Sequence, residues 1–151
     1  MKGLLLGGLA AGIFDSSYAF TRWGLRGVSP KQILHKVASG LLGPEAFKGG
    51  ATTAVLGMFL HFTIAFLAST GFYFLYRLFT LVRRWPLLAG ALYGGFFYFL
   101  MIDLVVPLSR TKAGAFAWID LLGHIVLIGM PIGFLVSRYS APKWVPSAVL
   151  K

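Results

Sequence analysis

The chain has 151 residues, 58% of them hydrophobic and 12% charged, with a formal net charge of +10. An average soluble domain is about 25% charged, so this composition excludes an ordinary soluble fold. It contains no cysteine, which removes disulfides, thiolate zinc sites, c-type haem attachment and cysteine nucleophiles.

Met1-Lys2, an apolar run and Ser17-Tyr18-Ala19 together have the outline of a secretory signal with a small-residue cleavage site. Asp15 interrupts the end of that run, so the segment is expected to be an uncleaved first span over about residues 3–20. The connection that follows carries its own helix signal. Ser29 is a good N-cap and Pro30 suits the first helical position. From there Ile33, Leu34, Val37, Ala38 and Leu41 share one face, while Gln32, His35, Lys36 and Ser39 share the other, until Gly43-Pro44 ends the pattern. A short amphipathic helix over about residues 30–42, with His35 on its solvated face, should lie in the headgroup plane or fold back as a lid.

Further spans are expected over about residues 51–76, 87–106 and 119–136, each near the ~20 residues needed to cross ~30 Å of hydrocarbon. Their ends carry aromatic and basic anchors, among them Trp23, Arg77, Trp85, Trp118 and Arg138. Continuous apolar runs without ten-residue alternation argue against a β-barrel. Gly8 and Gly12, Gly90 and Gly94, and Gly129 and Gly133 are spaced for close helix approach. Pro131 should kink the last span or free a carbonyl near Leu127 or Ile128. Spans one and three each carry a glycine pair followed by an Asp. Spans two and four each carry a His, then Gly-Phe, then Arg, which together suggest a two-span repeat. The expected architecture for residues 1–151 is therefore all-α: one membrane domain of four transmembrane helices with one interfacial amphipathic helix.

Ionisable groups inside such spans are costly, roughly 2.5–3.5 kcal/mol each on insertion scales, and they mark functional positions. Asp15, His61, Asp103 and His124, with Asp120 at the rim, all fall in the half of the spans that adjoins the amphipathic helix. At 1.5 Å rise per residue they lie roughly 5–15 Å below that surface. Asp120 and His124 are four apart and share a helix face. Tyr98, Ser16, Ser17 and Thr63 are candidate hydrogen-bond partners. The cluster suits a structural pairing that fixes the bundle, a site for protons or a cation, or metal or haem ligation through His61 and His124. No serine elbow, His-Glu-x-x-His or paired-carboxylate motif supports an enzyme.

The cations lie almost entirely between or beyond the apolar runs, so anionic lipid headgroups are the expected partners. Trp23, Lys31 and Lys36 are the expected contacts with them. No basic helix or stacking platform is left for nucleic acid. Counted by side, Lys2, Arg77, Arg83, Arg84, Arg138, Lys143 and Lys151 oppose Arg22, Arg26, Lys31, Lys36, Lys48, Arg110 and Lys112. With the cations so evenly divided, the positive-inside rule favours neither orientation. The N-terminal amine and the tight Arg83-Arg84 loop favour cytoplasmic termini.

The run Ser29-Pro30, Ile33-Leu34, Ala38-Ser39-Gly40-Leu41-Leu42-Gly43, Ala46-Phe47, Gly49-Gly50, Thr53-Ala54, Leu56-Gly57 and His61-Phe62 is similar to a family of small, uncharacterised bacterial inner-membrane proteins. The likeness extends through Leu88 to Gly94, Val105 to Ser109, Gly123-His124 and Gly129 to Ile132. The resemblance implies the four-span fold and an inner-membrane location, and no activity. In that family an Asp like Asp15 and His residues like His61 and His124 recur, whereas the position of Asp103 is often Asn. That departure argues against any scheme needing a charged ligand at 103. Taken together, the sequence points to a non-catalytic membrane subunit, either homo-oligomeric or attached to other membrane subunits. The rival readings are a small carrier or channel for protons or a cation, and a metal or haem binder.

Overall fold

The computed structural model describes residues 1–111 and 116–140. Lys112, Lys143 and Lys151 of the charge count lie outside the described residues. The described residues are helical, with no strand among them. Helix α1 spans Lys2–Gly24 and α2 spans Pro30–Leu42, followed by a 3₁₀ turn, Gly43–Phe47. Helix α3 spans Gly50–Leu78 and a short α4 spans Thr80–Arg84. Helices α5, Pro86–Leu108, and α6, Trp118–Ser140, each contain a π-helical turn. Four of these, α1, α3, α5 and α6, are long and apolar enough to cross a membrane, which makes the chain a multi-pass membrane protein by length and composition.

The helices run up and down, so the N-terminus, the α3–α5 turn and the end of α6 share one side. The other side holds α2, the start of α3, the end of α5 and the start of α6. Helix α1 packs against both α3 and α6, and α5 packs against α6, while α3 and α5 scarcely touch. This leaves a gap between the second and third spans.

On the side of the termini α1, α3 and α6 pack densely, and an apolar groove of about 420 Å³ lies between α3, α4 and α5. Phe72, Ile132 and Val136 are fully buried, with Ala68 and Ser69 beside them. Glycine allows the approach: a Cβ on Gly129 would strike the Gly90 carbonyl and the Gly94 backbone, and one on Gly133 would strike the Pro86 carbonyl. Gly3 likewise lies against Val136 and Gly7 against Ser69 and Ile132. Cross-helix hydrogen bonds lock the contact: Ser69 Oγ donates to Leu4 O (2.8 Å) and Tyr93 Oη to Ala68 O (2.7 Å).

Prolines shape the opposite half. Pro131 brings no N–H and its ring would collide with a carbonyl one turn back. The residue before it, Met130, bonds to Ile125 O, five residues back, closing the π turn His124–Gly129. Pro107 repeats the arrangement, with Val106 N bonding to Met101 O at the end of the π turn Met101–Val105. Both π turns widen their helices on the side facing α2.

Helix α2 begins as its sequence dictates. Ser29 and Gln32 form a reciprocal capping box and Pro30 opens the first turn. Its buried face differs from the expectation. His35, Ala38 and Ser39 are buried, whereas Leu41 is exposed. His35 is thus not solvated: its Nε2 donates to Gly50 O at 2.7 Å, and its ring meets Phe47 edge-on. Gly50 has φ +64°, which turns that carbonyl at the head of α3 into reach. The docking is close enough that a Cβ on Gly57 would strike the Leu34 carbonyl. Two further bonds tie α2 to the chain after α5: Arg110 N to Gly40 O (2.9 Å) and Ser39 Oγ to Thr111 Oγ1 (2.8 Å).

Candidate functional site

The gap between α3 and α5 is a chamber of about 300 Å³ roofed by α2. Every span contributes to its wall: Ala11 and Asp15 from α1, His61 and Ala65 from α3, Phe97 and Met101 from α5, His124 and Ile128 from α6. Val105 and Ile128, from the two π turns, lie on that wall with Met101 and His124 at the turns' first positions. The proline-driven widening therefore forms part of the enclosure. Lys36, Val37 and Gly40 form the roof.

Helix periodicity places Asp15 one turn beyond Ala11 and His61 one turn before Ala65, so each polar group sits above a small apolar one. His61 Nε2 lies 2.9 Å from Gly12 O. A carbonyl only accepts, so Nε2 carries the hydrogen and Nδ1 holds a lone pair in the neutral ring. That Nδ1 faces Asp15 Oδ2 at 3.9 Å, with both side chains largely buried. At that distance the two groups form an ion pair only when the ring is protonated, and the gap is too long for a hydrogen bond. His124 is fixed in the opposite sense. Its Nδ1 lies 2.9 Å from Asp120 O, so Nδ1 donates and Nε2 is the free nitrogen. The Tyr98 ring stands edge-on against it with centroids 5.1 Å apart.

The remaining predicted groups separate from the chamber. Asp120 is at the rim, where Arg22 Nε approaches Oδ1 at 2.9 Å, Arg22 Nη2 donates to Oδ2 at 3.2 Å and Tyr18 Oη donates to Oδ1 at 2.8 Å. Its shared face with His124 is used through the backbone carbonyl, with the carboxylate turned to α1. The sequence pattern does not announce Tyr18 and Arg22 as partners, although their spacing of four places them on one face of α1. Asp103 is exposed and has no hydrogen bond or ion pair among the described residues. It stands apart from the chamber for a geometric reason. Tyr98 Oη already accepts from Ala117 N at 3.0 Å, immediately before α6 begins. Asp103 is five residues further along, about 7 Å nearer the surface at 1.5 Å per residue. Ser16 and Thr63 bond carbonyls of their own helices, Gly12 O and Phe59 O. Ser17 is exposed.

Lys31 and Trp23 are exposed, and the Arg22 and Arg26 guanidiniums stand 5.6 and 5.1 Å from the Trp23 ring, a basic-aromatic group at the α1 end. Lys36, expected at the headgroups, is exposed and also lines the chamber. Among the described residues no group of three or more His, Cys, Asp and Glu assembles in a geometry that would hold a metal ion. No protein-family model, curated protein or solved structure matches this chain.

Proposed function

We propose that this chain is a non-catalytic protein of a bacterial inner membrane that binds a small ligand in a one-sided chamber, as an accessory subunit or small homo-oligomer. The observation that carries the reading is the chamber itself. It is apolar over most of its wall, and Asp15, His61 and His124 present a carboxylate and two imidazoles to it. A concave apolar site with a few placed polar groups is the form that small-molecule sites take. The same geometry argues against an open channel, because the path toward the termini is closed by Ile132, Val136 and Phe72. Exposed apolar residues on α3 and α5, such as Phe59, Leu67, Leu92 and Phe96, face outward and suit lipid or another subunit.

The reading is tested by gentle extraction followed by native mass spectrometry. Wild type should carry a small molecule that Val37→Trp in the roof and Ala65→Leu in the wall both lose while remaining monodisperse. If wild type carries nothing and neither variant changes what it binds, the polar groups serve only to hold the bundle.

The Asp15–His61 contact supports a second reading, proton or cation handling, because a carboxylate beside an imidazole is a proton-accepting pair. Reconstituted liposomes would then show a pH-driven flux that His61→Gln abolishes.

A further inference from the structure

Resting on the chamber reading above, we infer that the ligand is an amphiphile bearing a primary ammonium, seated between Asp15 and His61. The inference begins with the unfilled hydrogen bonding of this pair. Gly12 O takes the hydrogen on His61 Nε2, so the neutral ring turns a lone pair toward Asp15 Oδ2 across 3.9 Å. Two acceptors facing each other repel unless a donor lies between them. One nitrogen making two ordinary hydrogen bonds, each about 2.9 Å, closes a triangle across that gap. An ammonium has the donors to do so and one more to spare.

Charge selects the ammonium over a hydroxyl. A carboxylate three-quarters covered by protein is best stabilised by an opposite charge, and among the described residues Asp15 has no ion pair other than that with the titratable His61. His124 adds another acceptor on the same wall, since its own donor is directed to Asp120 O. The other charged group of the lining, Lys36, belongs to the roof helix and is exposed. An anionic amphiphile would have to place its charge at Lys36 and run its body past Asp15. An ammonium at Asp15 instead leaves the apolar wall of Ala11, Ile64, Ala65, Phe97 and Ile128 for its hydrocarbon.

Octylamine, octanol and octanoate are the probes, titrated against the full chain in nanodiscs of zwitterionic lipid, with Val37→Trp as the baseline for partition into lipid. Octylamine should bind wild type about tenfold more tightly than octanol, a ratio corresponding to one charge-assisted hydrogen bond. Asp15→Asn should erase that preference while octanol binding persists, and His61→Gln should narrow it. Equal binding of the three probes to wild type overturns the ammonium assignment and leaves the chamber reading intact. A preference for octylamine that survives Asp15→Asn overturns the seat. If Val37→Trp binds all three probes as wild type does, the chamber reading itself fails.

Discussion

The half of the bundle near the termini and the half beneath α2 are made by the same four long helices, yet they meet in opposite ways. Near the termini, glycine removes side chains from the contact, and Gly90, Gly129 and Gly133 bring α5 and α6 together backbone to backbone. Beneath α2, Pro107 and Pro131 interrupt the ordinary bonding pattern and the resulting π turns widen the same two helices. Near the termini α1, α3 and α6 close on one another, with an apolar groove of about 420 Å³ on the outer side between α3, α4 and α5, whereas the other half holds the chamber of about 300 Å³ that Asp15, His61 and His124 line. The α5–α6 seam itself stays closed, with Gly94 against the His124 carbonyl, and the opening lies between α3 and α5, where the π turns of α5 and α6 line the wall. The consequence for function is a chamber with a floor.

Gly129→Leu would break the comparison most severely. The new side chain would strike the Gly90 carbonyl and the Gly94 backbone, neither of which can rotate away. Overpacking of this kind costs about 1–3 kcal/mol and more where only backbone can yield. Thermal unfolding in nanodiscs should show the largest loss of stability of any variant considered, with the chamber lost as well. A stable Gly129→Leu protein would mean that the sealed half tolerates separation.

Asp120→Ala should come next. It leaves Arg22 and Tyr18, on α1, without the carboxylate that joins them to α6. Hydrogen bonds to charged groups are worth roughly 1.5–3 kcal/mol, and partial exposure of Arg22 and Asp120 places this one at the lower end. Arg22→Ala should cost a similar amount, and the double variant should cost less than the sum of the two. Additive losses would show that the latch is not a unit.

The division between the halves is only partly legible in the sequence. Spans can be read because hydropathy and length respond to the bilayer, whatever the neighbours do. The start of α2 is legible because Ser29, Pro30 and Gln32 act locally. The rotation of α2 is not, because an acceptor outside the helix, Gly50 O, draws His35 inward and overrides the apolar periodicity. Asp15, His61 and His124 stand out by their cost in a membrane, and the structure brings them to one chamber. Asp103 does not join them because residues 101–111 run on past the start of α6, a matter of register between helices that no single span reveals. Arg22 looks like a headgroup anchor in the sequence, and its partner Asp120 is 98 residues away.

Gly57→Ala sharpens the comparison at the roof alone. A methyl there meets the Leu34 carbonyl of α2, so α2 must shift while the sealed half is untouched. Because the chain has no cysteine, a single Val37→Cys reports on the roof without background. Its labelling by a water-soluble maleimide should accelerate several-fold in the Gly57→Ala background, with a loss of global stability of about 1 kcal/mol or less, the low end for one added methyl group. Unchanged labelling would show that α2 adjusts without opening.

The smallest effect belongs to Asp103→Asn, and its smallness is informative. Asp103 is exposed, bonds nothing among the described residues and does not line the chamber. A surface substitution away from any network stays within about 0.5 kcal/mol. Asn keeps the shape and removes the charge, so stability and chamber occupancy should both match wild type. A carboxylate facing hydrocarbon would behave differently: its neutralisation would stabilise the protein, because the desolvation cost of the charge would vanish. Thermal unfolding in nanodiscs distinguishes the two. A clear rise in stability would place Asp103 inside the bilayer and move the membrane boundary outward past the end of α5, taking α2 with it from the surface into the hydrocarbon. An unchanged value fixes the boundary near the start of α6 and leaves α2 as the roof between the chamber and the headgroups.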